Sequence, residues 1–205
     1  MVFKILAFIS GLIIAIISKL GYLGVVFLMA IESACIPLPS EVIMPFSGFL
    51  VFQGRLGLWE TALAGALGCL LGSLLAYWVG LYGGRPLIER YGKYLLISHA
   101  DLDRADRFFQ RYGEVTVFFS RFLPVIRTYI SFPAGIAKMD LGRFSLYTFL
   151  GSLPWSWGLA YLGLRLGGRW TTVKELFRKF DLFIGAIIVL AIFFYLRRHF
   201  RLMKR

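Results

Sequence analysis

Histidine and cysteine are almost absent from this chain, with two of each in 205 residues. Cys35 and Cys69 stand in apolar surroundings without a Cys-x-x-Cys or histidine pairing, so they read as small core side chains rather than as a disulfide, zinc or redox element. His99 falls in a polar segment and His199 in a basic tail, which leaves no imidazole inside an apolar run to serve as a metal ligand or as the base of a phosphatase. No metal and no cofactor is expected, nor an enzyme. Acid is scarce as well: 11 Asp and Glu stand against 23 Lys and Arg, a formal net charge of +12. That excess is not a nucleic-acid footprint, because no zinc-finger spacing or phosphate-cradling GxxxxGK accompanies it. The basic residues instead flank apolar segments, where Lys and Arg meet anionic headgroups.

What the chain has in abundance is apolar length. Apolar residues make up 59% and mean hydropathy is +0.74, against roughly 45–50% apolar residues in an ordinary soluble domain. Between Ile5 and Ile31 the only charge is Lys19, between Leu56 and Gly84 only Glu60, between Leu141 and Leu164 only Arg143, and between Leu182 and Leu196 none. A chain this short cannot wrap four such segments in a soluble exterior, so the bilayer is their solvent. Full spans are expected at about 3–18, 58–82, 142–165 and 182–197. The first, about 16 residues or roughly 24 Å as helix, is short for a crossing and is expected to tilt or to lie partly in the interface, with Lys19 snorkelling. A secretory signal is the alternative for it, but no small-x-small cleavage site follows.

Five of the seven prolines fall in two charged breaks. The first reads Glu32-Ser-Ala-Cys-Ile-Pro37-Leu-Pro39-Ser-Glu41, with Pro45 beyond it; the second reads Arg121-Phe-Leu-Pro124-Val-Ile-Arg127, followed by Pro133-Ala-Gly135. Tyr22 to Ile31 and Val42 to Phe52 are arms of about ten residues, roughly half a bilayer each, so re-entrant hairpins at about 22–53 and 113–138 fit better than paired spans. Pro37, Pro39, Pro45, Pro124, Pro133 and Gly135 shape them. Gly65, Gly68, Cys69 and Gly72 form a close-packing face on the long apolar segment between the hairpins. The polar stretch from Arg85 to Arg111 carries a capping box, Ser98-His-Ala-Asp101, and one stripe of Leu102, Ala105, Phe108, Phe109 and Tyr112, the pattern of an interfacial amphipathic helix with His99 at its capped end.

The two halves echo one another. Gly24 precedes Glu32 by the spacing that separates Gly113 from Arg121, and both breaks continue as proline, charge, proline, glycine. Ala76-Tyr77 before Gly83-Gly84-Arg85 recurs at the same spacing as Ala160-Tyr161 before Gly167-Gly168-Arg169, and a second stripe, Trp170, Val173, Leu176, Phe177 and Phe180, follows a cap at Thr172 to Glu175. Echoes in the same order indicate an internal repeat. The expected fold is an all-α polytopic membrane protein: an inverted repeat with two opposed re-entrant helical hairpins, about four full transmembrane helices and interfacial amphipathic helices. Its parts are one membrane domain over 1–205, a first repeat over 20–85, an amphipathic connector over 86–111, a second repeat over 112–180, and a final span with its basic tail over 181–205. With a cytoplasmic N-terminus the tail is cytoplasmic too; the basic 165–179 loop then lies outside, against the positive-inside tendency.

Charge at membrane depth costs about 2.5–3.5 kcal/mol per residue on insertion scales, so Glu32, Glu41, Arg121 and Arg127 require mutual neutralisation or water. One outcome is a structural ion network that pins the hairpins. The other is a substrate cavity in which freed backbone amides and an Arg pair receive a phosphate while a carboxylate exchanges a proton.

These motifs resemble those of the DedA family, also called the SNARE-associated or VTT-domain proteins. ESACIPLPSE from Glu32 to Glu41 is similar to the family's acidic and proline motif, FFSRFLPVIR from Phe118 to Arg127 to its F-x-x-x-R-x-x-P-x-x-R-like motif, and Gly135-Ile-Ala-Lys-Met139 to its G-x-x-x-M motif; the likeness covers about residues 10–200. It implies an integral protein of the bacterial cytoplasmic (inner) membrane, with opposed re-entrant hairpins, that acts as a lipid flippase or scramblase in envelope homeostasis. The lipids implied are undecaprenyl phosphate or phosphatidylethanolamine, with Glu32, Glu41, Arg121 and Arg127 as the functional charges and protons as a coupling ion. The segment after Glu41, Val-Ile-Met-Pro-Phe-Ser-Gly, lacks a further acid that some members carry. The rival readings are a proton-coupled cation or drug antiporter, for which the paired acids are the proton site, and a structural or assembly factor. Nothing in the sequence fixes an oligomeric state.

Overall fold

The structure, a computed structural model, describes residues 2–36, 38–95 and 99–167. Pro37, the capping serine Ser98, the second amphipathic stripe, the span expected at 182–197 and the basic tail lie outside the described residues. Eight helices account for nearly all of the described chain: α1 (Val2–Leu20), α2 (Tyr22–Ser33), α3 (Ser40–Phe52), α4 (Leu58–Leu95), α5 (His99–Ser120), α6 (Pro124–Tyr129), α7 (Ser131–Ile136) and α8 (Leu141–Leu166).

The breaks between helices have local causes. Gly21, at φ 56°, takes the left-handed conformation that separates α1 from α2 at no steric cost. After α2 the chain turns through Cys35, whose own φ of 68° is unusual for a residue with a Cβ. Pro39 then stands in extended conformation as the N-cap of α3. Pro45, inside α3, cannot donate to the carbonyl of Glu41 one turn earlier, so that carbonyl is released from the ladder. In the second half, Pro124 opens α6 at a first-turn position where its missing N–H is harmless. Asp140 caps α8 by accepting from the Arg143 main-chain N–H at 2.9 Å.

Among the described helices, α2, α7 and α8 all pack on α4. Its stretch Leu58–Gly83 is, among the described residues, the one helix both long and apolar enough to cross a membrane. Its outer face carries exposed Leu63, Leu67, Leu71 and Leu75 at intervals of four, a continuous stripe of apolar side chains that water would not tolerate and lipid does. α8 is 26 residues long, but Ser145, Thr148, Ser152, Ser156 and Pro154 dilute its apolarity. α2 and α3, at 12 and 13 residues, are too short to span. The expected interfacial helix and the entering arm of the second hairpin form one helix, α5, continuous through Gly113, and the returning arm is broken into α6 and α7.

Packing crosses between the halves. α2 lies along α4, while α3, the other arm of the same break, lies along α8; conversely α5 lies along α8 and α7 along α4. Glycines permit these approaches. A Cβ on Gly48 would collide with the carbonyl of Ala160, and one on Gly163 with that of Pro45; at the matching seam, Gly135 meets the Tyr77 carbonyl and Gly80 that of Phe132. The two seams share one register, in which Tyr77 corresponds to Ala160 and Gly80 to Gly163. That is one residue displaced from the Ala-Tyr match in the sequence.

The two seams therefore respond alike to a methyl group. Gly48→Ala and Gly135→Ala are each expected to lower stability by about 1–3 kcal/mol through overpacking against main chain, whereas Gly158→Ala, which meets nothing within 4 Å, leaves the unfolding midpoint in detergent unchanged. Equal midpoints for all three variants would contradict this packing.

Candidate functional site: a buried arginine pair at membrane depth

The two breaks and the middle of α4 converge on a cluster of polar side chains. Arg121 is 2% exposed. Its Nη1 donates to the hydroxyl of Ser73 on α4 and to the main-chain oxygen of Arg127, both at 3.0 Å. Its Nη2 donates to the hydroxyls of Thr148 on α8 at 3.0 Å and of Ser131 on α7 at 3.2 Å. Ser73 sits about 4 Å from the midpoint of Leu58–Gly83 at about 1.5 Å per residue, so the guanidinium lies near the middle of a membrane-length helix. No carboxylate among the described residues touches it, and its Nε has no hydrogen-bond partner among them.

Arg127 is compensated differently. Its Nη2 straddles the Glu32 carboxylate, 2.6 Å from each oxygen, with both residues buried. A planar fork-to-fork pairing would use two nitrogens; here one suffices, and the guanidinium carbon lies 5.5 Å from the centre of the Trp155 ring on α8, within cation–π range. α2 delivers Glu32 to this depth because Gly72 lets the end of α2 close onto α4 at Ala30 and Ser33. The seam of glycines expected from the sequence thus places the carboxylate.

Of the four charges expected to form the site, the structure joins Glu32 with Arg127 and sets Arg121 against the Arg127 main chain. Glu41, in the first turn of α3, is half-buried and near enough to act electrostatically on both Glu32 and Arg127, yet it makes no ion pair with a described residue. Trp155 Nε1 is a further buried polar atom without a partner among the described residues. Ser40, Ser73, Ser131, Thr148 and Trp155 are not among the residues that the sequence pattern singles out. The available signal was the hydroxyl row Thr148, Ser152, Ser156, four residues apart on one face of a helix that is otherwise apolar.

An all-α membrane protein whose charge is gathered at mid-depth by two broken segments is the class that fold and site define. Residues 38–165 match the VTT domain, and the chain belongs to that family, the DedA family of membrane transporters; it is not an enzyme. The membrane protein YkoX of Bacillus subtilis is 45% identical over 85% of this chain and 77% of its own length. Undecaprenyl phosphate transporter A of the same organism is 37% identical over 92% of this chain and 94% of its own. An alkaline phosphatase-like protein of Lactococcus lactis is 37% identical over 92% of each. No solved structure matches the chain.

Removing one partner of the buried pair should cost more than removing both. Glu32→Gln leaves Arg127 buried without its counter-charge and is expected to destabilise by about 3–5 kcal/mol, while Glu32→Gln with Arg127→Gln recovers a large part of that loss. Denaturant unfolding in mixed micelles measures the cycle; additive effects would mean that the pair contributes no coupling.

Proposed function

We propose that this protein moves a phosphate-bearing lipid across the bacterial cytoplasmic membrane, with undecaprenyl phosphate as the first candidate and phosphatidylethanolamine as the second. The observation that carries the reading is Arg121. A guanidinium near the midplane, held only by neutral oxygens, retains its whole positive charge in a medium that penalises it. A phosphate is the ligand that would complete it: an anion with several acceptors, matched to the planar donor set of arginine. The name of the Bacillus subtilis transporter A relative, which covers nearly the same length, supports the same class of cargo. The phosphatase-like name of the Lactococcus lactis relative belongs to that protein.

In this mechanism the resting site is partly neutralised by Glu32 on Arg127. An entering headgroup takes Arg121 and competes with Glu32 for Arg127, while the acyl or isoprenyl chains stay in lipid. In this reading Glu41, which has no ion-pair partner among the described residues, exchanges a proton as the headgroup arrives and leaves. The cross-packed halves act as an inverted repeat of two re-entrant hairpins, first repeat 20–85 and second repeat 112–180, and rock against each other so that the cluster faces one leaflet and then the other. The C-terminal tail is cytoplasmic. The same lipids moved without an energy source would make the protein a scramblase.

Reconstitution into vesicles with a leaflet-specific assay for each lipid tests this. Arg127→Lys keeps the charge but loses the fork, and is expected to lower transport about 10-fold or more, equivalent to about 1–3 kcal/mol in headgroup interaction. Glu41→Gln should insert normally, transport slowly and show an altered pH dependence. Full transport by both variants would point to a structural ion network and a different function.

A further inference from the structure

A second polar site lies outside the buried cluster. Where α5 passes the turn between α7 and α8, a cavity of about 480 Å³ is lined by Arg111, Glu114, Lys138, Met139, Asp140 and Arg143. Its position relative to the buried cluster is fixed through α4. Tyr77 donates its hydroxyl to the Met139 carbonyl, and Tyr77 is one helical turn, about 6 Å, along α4 from Ser73, which holds Arg121. The cavity is therefore about one turn closer than the buried arginine to Gly83, the end of the apolar stretch.

Its charges are not balanced internally. Asp140 Oδ1 is occupied as the cap of α8, and Glu114 accepts from Arg143 Nη1. Arg111 lies against the Tyr112 ring, 5.2 Å from its centre, and neither it nor Lys138 has a carboxylate partner among the described residues. Three cations, Arg111, Lys138 and Arg143, line the cavity against two carboxylates, Glu114 and Asp140, an excess of one positive charge that favours an anion. The volume is far more than a single small ion displaces.

Lys138 gives an independent indication. It ends α7 with φ of 51°, its N–H bonded to the Gly135 carbonyl and that of Met139 to the Ala134 carbonyl. This is the helix-terminating position at which glycine is the relaxed choice. A lysine there retains backbone strain, and strain kept at such a position is associated with use of the side chain. The geometry points to a phosphate-anion site formed by Arg111 and Lys138, with Arg143 fixed beside them by Glu114, that captures a phosphomonoester group before it reaches the buried arginines. A lipid headgroup and a free phosphate share that chemistry.

The test reads binding, not transport, so it stands or falls separately from the proposed function. In the full chain with Cys35→Ser and Cys69→Ala, Val115→Cys at the exposed cavity wall is labelled with an environment-sensitive fluorophore. The protein is then titrated with phosphatidylcholine vesicles containing phosphatidic acid, with phosphatidylcholine alone, and with inorganic phosphate. Phosphatidic acid should shift the emission and phosphatidylcholine alone should not. A shift with inorganic phosphate over the same concentrations identifies the free anion as a ligand of the same site. Arg111→Gln and Lys138→Gly should each raise the half-saturating concentration about 5–10-fold, and Lys138→Gly, which relieves the backbone, should not lower the unfolding midpoint. A titration unchanged in the Arg111→Gln, Lys138→Gly double variant, or no response to either phosphate source, overturns the proposal.

Discussion

Everything in this fold is arranged around a guanidinium that cannot reach water. Arg121 sits near mid-depth of the longest apolar helix, and four elements contribute an oxygen to it: α4 through Ser73, α6 through the Arg127 main chain, α7 through Ser131 and α8 through Thr148. Each oxygen comes from a different part of the chain, so the arginine can be buried only when the two halves are assembled. The glycines at the α3–α8 and α4–α7 seams serve that assembly by allowing main chain to meet main chain. Hydrogen bonds satisfy a guanidinium's donors without cancelling its charge, and that distinction separates the roles of the two arginines.

Arg127 shows what full compensation looks like in the same surroundings. Glu32 and the face of Trp155 share its charge, and the depth of Glu32 is set by the close approach of α2 to α4. The asymmetry is local: one arginine is ion-paired, while its neighbour is bonded to three hydroxyls and a main-chain oxygen and touches no carboxylate among the described residues. Glu41, at the edge, makes no ion pair among the described residues. A scaffold that merely pinned two hairpins would be expected to pair both arginines.

Much of this was legible in the sequence. Proline and charge inside apolar runs marked both breaks, and the spacing of Glu32, Arg121 and Arg127 relative to prolines put them at helix ends. The family resemblance is confirmed by the VTT-domain match over 38–165, which takes in Arg121 and Arg127 but not Glu32. Which acid meets which arginine was not legible, because pairing depends on how far α2 slides along α4, and that is decided by Gly68 and Gly72 against Val26 and Ala30. The spacing offers Arg127 either Glu32 or Glu41; the ion pair formed is with Glu32. The hydroxyl shell of Arg121 was hidden for a different reason: serine and threonine occur in membrane helices for packing as well as for hydrogen bonding, and only the convergence of Ser73, Ser131 and Thr148 distinguishes the two. Likewise the repeat was visible as an Ala-Tyr echo, yet its contact register is displaced by one residue, because main-chain approach follows the glycines and not the aromatic side chains.

The central claim is that a lipid phosphate supplies the charge that Arg121 lacks. Magic-angle-spinning NMR on arginine-¹⁵N protein, reconstituted with a phosphate-bearing lipid, measures it through the dipolar coupling between guanidinium nitrogens and lipid phosphorus. The account predicts contact-range coupling to a buried, slowly exchanging guanidinium, and its disappearance in Arg121→Gln while couplings of interfacial arginines persist. Coupling confined to exposed arginines and unchanged by Arg121→Gln would contradict it.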